Sequence, residues 1–287
     1  MRYILSLILT FLMISCSSAQ SGTEVYVFDL SQKGEIWTLS NPVNVSQNEG
    51  YDNQPSFSSD GSILYFTSNR NGETDLIAYN FDSGEKTWLT ETTNRSEYSP
   101  TITPDGNHIS FITLSNEGVQ EFRKINFETG EESLIENDPI IGYFVWIDEL
   151  SYMCFVLATE DQPSTLQIHN TETGEKIILG ENPGRSFHKI PGAKAVSFIQ
   201  TINDEPEIFG YYYENEGTEF IHSTLSGSQD MVWLPSGEIL MGQGSILSIG
   251  SDSNWSELID FSIFDLSDIS RMAVNSDGSK IAIIVEE

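Results

Sequence analysis

The sequence predicts an all-β fold, a six-bladed β-propeller of four-stranded antiparallel blades, on three observations. Short runs of alternating apolar and polar residues are punctuated by Asp-Gly and Ser-Gly turns, the mark of consecutive antiparallel strands. Two independent turn landmarks recur along the chain at one period. Two half-units, one near each end, add up to one whole unit.

The unit is clearest over 51–90. There, Asp60-Gly61 precedes the apolar run Ile63-Leu64-Tyr65-Phe66, and a second turn at Asp82-Ser83-Gly84 joins two further alternating stretches. Such a meander cannot bury both faces alone, so it needs neighbours. The first landmark recurs as Asp60-Gly61, Asp105-Gly106, Asp148-Glu149, Pro191-Gly192, Ser236-Gly237 and Asp277-Gly278, at intervals of 45, 43, 43, 45 and 41 residues. The second recurs as Gly84, Gly130, Gly174 and Gly217, at intervals of 46, 44 and 43. A period near 45 with four strands is a propeller blade.

Five full units are expected over 51–90, 97–135, 140–179, 184–223 and 228–262. Residues 23–48 supply only the second half of a unit, and 268–287 only the first half. Paired, they complete a sixth blade, with the C-terminal strands inside and the N-terminal strands outside, and the ring closes without open edges. The largely alternating stretch 259–266 is expected to supply a last blade strand. Residues 23–287 are thus expected to form a single propeller domain, with 1–22 as signal and short tether.

With 43 acidic against 13 basic residues the formal net charge is −30, which repels nucleic acid and anionic headgroups. Arg2 is followed by an apolar run from Ile4 to Ile14, then Ser15-Cys16-Ser17-Ser18-Ala19-Gln20, a secretory signal pattern. Two processing sites compete. Met13-Ile14-Ser15-Cys16 is similar to the bacterial lipobox, with Met in place of the usual Leu, and would leave Cys16 lipidated; Ser17-x-Ala19 suits ordinary cleavage. The anchored form is the one expected, exported to the periplasm or outer membrane. Cys154 is then unpaired, in a run that suits a buried strand.

The pattern Pro55, Phe57, Ser58, Asp60, Gly61, Leu64, Phe66, Ser68, Arg70, Gly72, Asp75, Leu76, then Gly84-Glu85 and Leu89-Thr90, resembles the TolB-type (WD-like) propeller repeat. Thr103-Pro104-Asp105-Gly106 and Asn275-Ser276-Asp277-Gly278 repeat its turn, while the later blades keep the spacing more than the letters. The resemblance implies a six-bladed propeller in the cell envelope. TolB carries an α/β domain ahead of its propeller and works with the Tol-Pal machinery; here the residues between signal and first full blade are expected to be strands. A TolB role is therefore not implied.

Catalytic patterns are sparse. A serine hydrolase needs G-x-S-x-G at a strand-to-helix turn, and Gly242-Gln243-Gly244-Ser245-Ile246 lacks the second glycine. The histidines His108, His169, His188 and His222 fall on four units without metal-ligand spacing. Repeat phase puts only His188 at a channel mouth; His108 follows a solvent turn, and His169 and His222 fall on outer strands. No metal ligand or catalytic residue is assigned, although calcium stays open because a propeller axis gathers oxygen ligands from several blades.

The residues just before each inner strand converge at one mouth of the channel. The binding candidates there are Asp52, Asn53, Arg95, Glu97, Tyr98, Tyr143, Arg185, His188, Asp230 and Arg271. Three scarce arginines, Arg95, Arg185 and Arg271, share this phase and serve either a ligand or the blade junctions. The expected function is a monomeric, non-catalytic exported propeller that binds an envelope protein or small ligand at this mouth. The alternative is a propeller lyase or hydrolase acting on an acidic saccharide or peptide.

Overall fold

The computed structural model describes residues 22–34, 36–251 and 254–286; the signal segment and Cys16 lie outside the described residues. The described strands are twenty-four, in six four-stranded sheets. In chain order, β1 (Thr23–Lys33) and β2 (Ile36–Asn44) come first. The first full blade is β3 (Asp52–Phe57), β4 (Ile63–Arg70), β5 (Glu73–Asn80) and β6 (Lys86–Trp88); the second is β7 (Arg95–Ile102), β8 (His108–Ser115), β9 (Gln120–Asn126) and β10 (Glu132–Glu136). The third is β11 (Ile141–Trp146), β12 (Ser151–Val156), β13 (Thr165–Asn170) and β14 (Lys176–Glu181). The fourth is β15 (Pro183–Lys189), β16 (Ala195–Ile202), β17 (Glu205–Tyr212) and β18 (Gly217–Ser223). The fifth is β19 (Met231–Trp233), β20 (Ile239–Gln243), β21 (Ile246–Ser251) and β22 (Asn254–Asp260), and β23 (Met272–Val274) and β24 (Lys280–Glu286) end the chain.

The sixth sheet has the order β2-β1-β24-β23, as the two half-units predict. Its central pairing runs from Thr23 opposite Glu286 to Asp29 opposite Lys280, so the two ends of the chain share one ladder.

The core lies between blades. Leu64 and Phe66 of β4 pack with Val25, Val27, Ala282 and Ile284 of the closing blade, while Tyr65 between them packs with Ile109 and Phe111 of the second. Alternate side chains serve opposite neighbours, so an inner-blade strand is apolar throughout. Indole donors knit two of the interfaces: Trp146 Nε1 donates to Ser110 Oγ (2.9 Å) and Trp233 Nε1 to Ser197 Oγ (2.8 Å). Cys154 is fully buried in one of these clusters, and burial pushes its thiol up.

Five of the six first-turn landmarks place a glycine in the left-handed region, Asp148-Glu149 being the exception. Asp60 Oδ1 accepts from Ser62 N and Ser58 Oγ while Gly61 takes φ +73°, a left-handed conformation that a side chain would strain. In the fourth blade the left-handed residue of the outer turn is Glu216 (φ 49°) instead of Gly217.

The stretch 259–266 departs from expectation. β22 ends at Asp260, and Phe261–Phe264 form a 3-10 turn. Asp260 caps it by accepting from Ser262 N (2.9 Å), and Phe261 is fully buried beside Phe28. Phe261 and Leu266 are buried in one cluster and anchor a crossing from the outer edge of one blade to the inner edge of the next.

Candidate functional site: the channel mouth

The innermost strands β3, β7, β11, β15, β19 and β23 surround a cavity of about 120 Å³, which sits beside a wider vestibule of about 540 Å³. Four of these strands carry a register shift near the mouth: between Asn53 and Ser56, Tyr98 and Thr101, Ile141 and Tyr143, and Pro183 and Phe187. Such bulges re-aim side chains. Gln54 and Ser99, at φ 58° and 55°, are the left-handed residues at the first two shifts. Gln54 Oε1 accepts from Ser99 N (2.7 Å) and binds the first blade to the second across the cavity wall.

Seven of the ten candidates line these spaces: Asn53, Tyr98, Tyr143, Arg185, His188, Asp230 and Arg271. Arg185 forks onto Asp230, with Nε to Oδ1 at 3.0 Å and Nη2 to Oδ2, and this bond holds its guanidinium above the ordinary range. Arg271 lies over the Tyr143 ring, 4.9 Å from its centroid. His188 Nε2 meets Ser186 Oγ at 3.2 Å. Its surface faces the narrow cavity and is only partly exposed; burial pushes its pKa down to about 4, against the pull of Asp230.

Asp52, Arg95 and Glu97 line neither space, which corrects the expectation that all ten meet at the mouth. Asp52 is fully buried under the clasp, where Thr23 Oγ1 donates to its carbonyl (2.9 Å); burial pushes its carboxyl up to about 7, and Oδ1 has no partner among the described residues. Arg95 is drawn outward along its own blade by charge. It donates to Glu97 Oε1 (2.9 Å) and Glu132 Oε2 (2.7 Å), and Glu132 also takes Arg123. Arg95 therefore ties the inner and outer strands of its own blade together, which is neither of the two roles open to it from sequence.

Tyr51 is a wall residue that sequence reasoning missed. Its ring meets Tyr98 edge to face with centroids 6.4 Å apart, and burial raises its hydroxyl pKa while Arg271 opposes. It stands one residue ahead of β3, outside the repeat phase that marked the others; an aromatic flanking an inner strand was its only signal.

His108 sits by its turn with Nδ1 3.0 Å from Asp105 Oδ2, His169 contacts Tyr152 Oη, and His222 packs on Trp255. Ser245 donates to Asp260 Oδ1 (2.7 Å) at the tight turn between β20 and β21. Among the described residues no group of three or more His, Cys, Asp or Glu side chains could hold a metal ion, and none forms a helix long and apolar enough to cross a membrane.

Blades of this length, clasped in this way, define a six-bladed propeller of repeat type. The TolB β-propeller domain family matches residues 12–140, and the chain carries TolB-type propeller repeats. Compared by sequence with curated proteins, it finds no significant match. Among solved structures it is similar to a candidate TolB from Agrobacterium tumefaciens (TM-score 0.71, 14% identity, 93% of this chain and 99% of that one). It is also similar to TolB from Acinetobacter baumannii (TM-score 0.58, 14% identity), covering 94% of this chain and 65% of that one. An oligogalacturonate lyase from Vibrio parahaemolyticus matches as well (TM-score 0.52, 14% identity, 93% and 98%). At these identities the likeness is one of fold.

Proposed function

We propose that the protein is an exported, lipid-anchored propeller of the bacterial envelope that binds a protein or small ligand at its channel mouth and does no chemistry of its own. The observation that carries this reading is the wall of the mouth. In a chain of net charge −30, Arg185, Arg271, Tyr51, Tyr98 and Tyr143 gather on one vestibule, carried by rigid inner strands. Export and anchoring rest on the signal pattern ending at Cys16. His188 is the one imidazole on the wall; neutral at pH 7 and engaged by Ser186, it is a weak base and carries no acidic imidazolium proton there.

The test is affinity capture from envelope extract, with the parent protein against a folded Arg185→Ala/Arg271→Ala variant. Arg95 is left in place because it holds its blade together. A component retained by the parent and lost by the variant supports binding at the mouth. Equal retention by both places the partner elsewhere, and turnover of an acidic saccharide by the parent would overturn the non-catalytic reading.

A further inference from the structure

The vestibule holds a guanidinium that no described carboxylate approaches within 4 Å, although Glu286 lines the same space. Five arginines are described, and four have a carboxylate within 4 Å: Arg70 with Glu91, Arg95 with Glu97 and Glu132, Arg123 with Glu121 and Glu132, and Arg185 with Asp230. Arg271 has none among the described residues. With 43 acidic side chains against 13 basic ones, the arginine left without an acid is the unusual case. Its contact is instead the face of Tyr143, which orients a guanidinium and supports its charge while leaving its N–H fork without a partner among the described residues.

The surroundings select the ligand further. Tyr51 and Tyr98 stand in the same vestibule, and neither hydroxyl has a partner among the described residues. A guanidinium fork with phenolic donors beside it suits a planar oxyanion that accepts two parallel hydrogen bonds. One uncompensated cation within a strongly acidic molecule favours a monoanion over a dianionic phosphate, because the surrounding field acts on each negative charge. The aromatic walls favour a ligand with an apolar body next to that anion.

Resting on the reading of the mouth as a binding site, we propose that Arg271 receives a single carboxylate carried on an apolar body, with Tyr143 beneath the guanidinium and Tyr51 and Tyr98 beside it. The carboxylate comes from a small organic acid or from the free C-terminus of a peptide; the chemistry is the same.

The test follows the arginine Nε–H signals of the full mature protein by NMR while N-acetylphenylalanine is added. The neutral N-acetylphenylalanine amide and phenyl phosphate serve as comparisons. The expected result is a saturable shift confined to Arg271 with the acid, and none with the amide. Arg271→Gln should weaken binding about tenfold or more, and Arg271→Lys should restore part of it. No saturable shift, an equal response to the amide, or tighter binding of phenyl phosphate overturns the proposal, and each outcome is read on the parent protein whether or not a variant folds. A tripeptide with a free C-terminus, binding more tightly than the small acid, assigns the peptide source; weaker binding assigns the small acid. An envelope component captured at the mouth that N-acetylphenylalanine does not displace leaves the binder reading standing and removes the carboxylate.

Discussion

Arg185 on β15 and Asp230 on β19 lie 45 residues apart in sequence, one repeat, and form a two-point ion pair across a blade junction at the edge of the channel. Asp230 is the more deeply placed partner, its side chain 10% exposed against 35% for Arg185. Removing the arginine strands a largely buried carboxylate, whereas removing both strands nothing. Arg185→Ala is expected to cost about 1–3 kcal/mol in urea unfolding. Asp230→Asn on that background should recover part of it. A single variant as stable as the parent would show the pair to be irrelevant to the junction.

The clasp makes the N-terminal strand part of the core. Phe28 of β1 is fully buried, 4.9 Å from Phe261 and packed on Ile281 and Ile283 of β24. Phe28→Ala should lower stability by about 3–5 kcal/mol and should do so in one cooperative transition, because losing this contact opens the ring. A loss under 1 kcal/mol by calorimetry or denaturant, on the order of a surface change, would mean that β1 is peripheral.

Asp52 gives the fold a pH dependence of unusual sign. Its carboxyl titrates near 7 in the native protein, pushed up by burial, with Glu24 adding and Ser68 and Asn48 opposing; unfolded it titrates near 3.9. Between these values the native state holds a proton that the unfolded state has lost. Stability from this group therefore falls as pH rises from about 4 to about 7. Asp52→Asn should be increasingly more stable than the parent across that window and by a constant margin above it. Burial also raises Glu97, but Glu97 is present in both proteins and cancels in the difference. A difference that stays flat with pH would refute a buried carboxyl whose Oδ1 has no partner among the described residues.

Legibility in the sequence followed what is local. Asp60-Gly61 and four of its five repeats mark turns because glycine accepts the left-handed backbone they need, Asp148-Glu149 being the exception, so blade count and clasp followed from spacing. Side-chain direction did not. Repeat phase placed Arg95 and Arg185 at the same end of their inner strands. Only Glu132, brought alongside by β10, together with Glu97 on its own strand, decides that Arg95 turns outward. The bulges at Gln54 and Ser99 are likewise set by pairing with a neighbouring strand, and an alternating pattern carries no sign of them. At 261–264 the apolar pattern misled: Phe261 is buried in a 3-10 crossing while Ile263, two residues on, is exposed, so they do not share one buried strand face.

His188 supplies the opposite slope to Asp52, from inside the channel. Burial pushes its pKa down to about 4, and the nearby Asp230 charge opposes without reversing this. The unfolded chain takes up its proton near 6.5, so stability from this group is complete above that pH and is lost as pH falls toward 4. Following the ring signals by NMR should show His188 neutral at pH 6 and titrating near 4. His188→Gln should lose less stability than the parent as pH falls from 6.5 to 4. Because the imidazole stays uncharged above pH 5, binding at Arg271 should not vary between pH 5.5 and 8 on its account. A midpoint for His188 near 6.5 would mean that the channel wall is open to bulk water, and the mouth would then carry a third cation in mildly acidic surroundings.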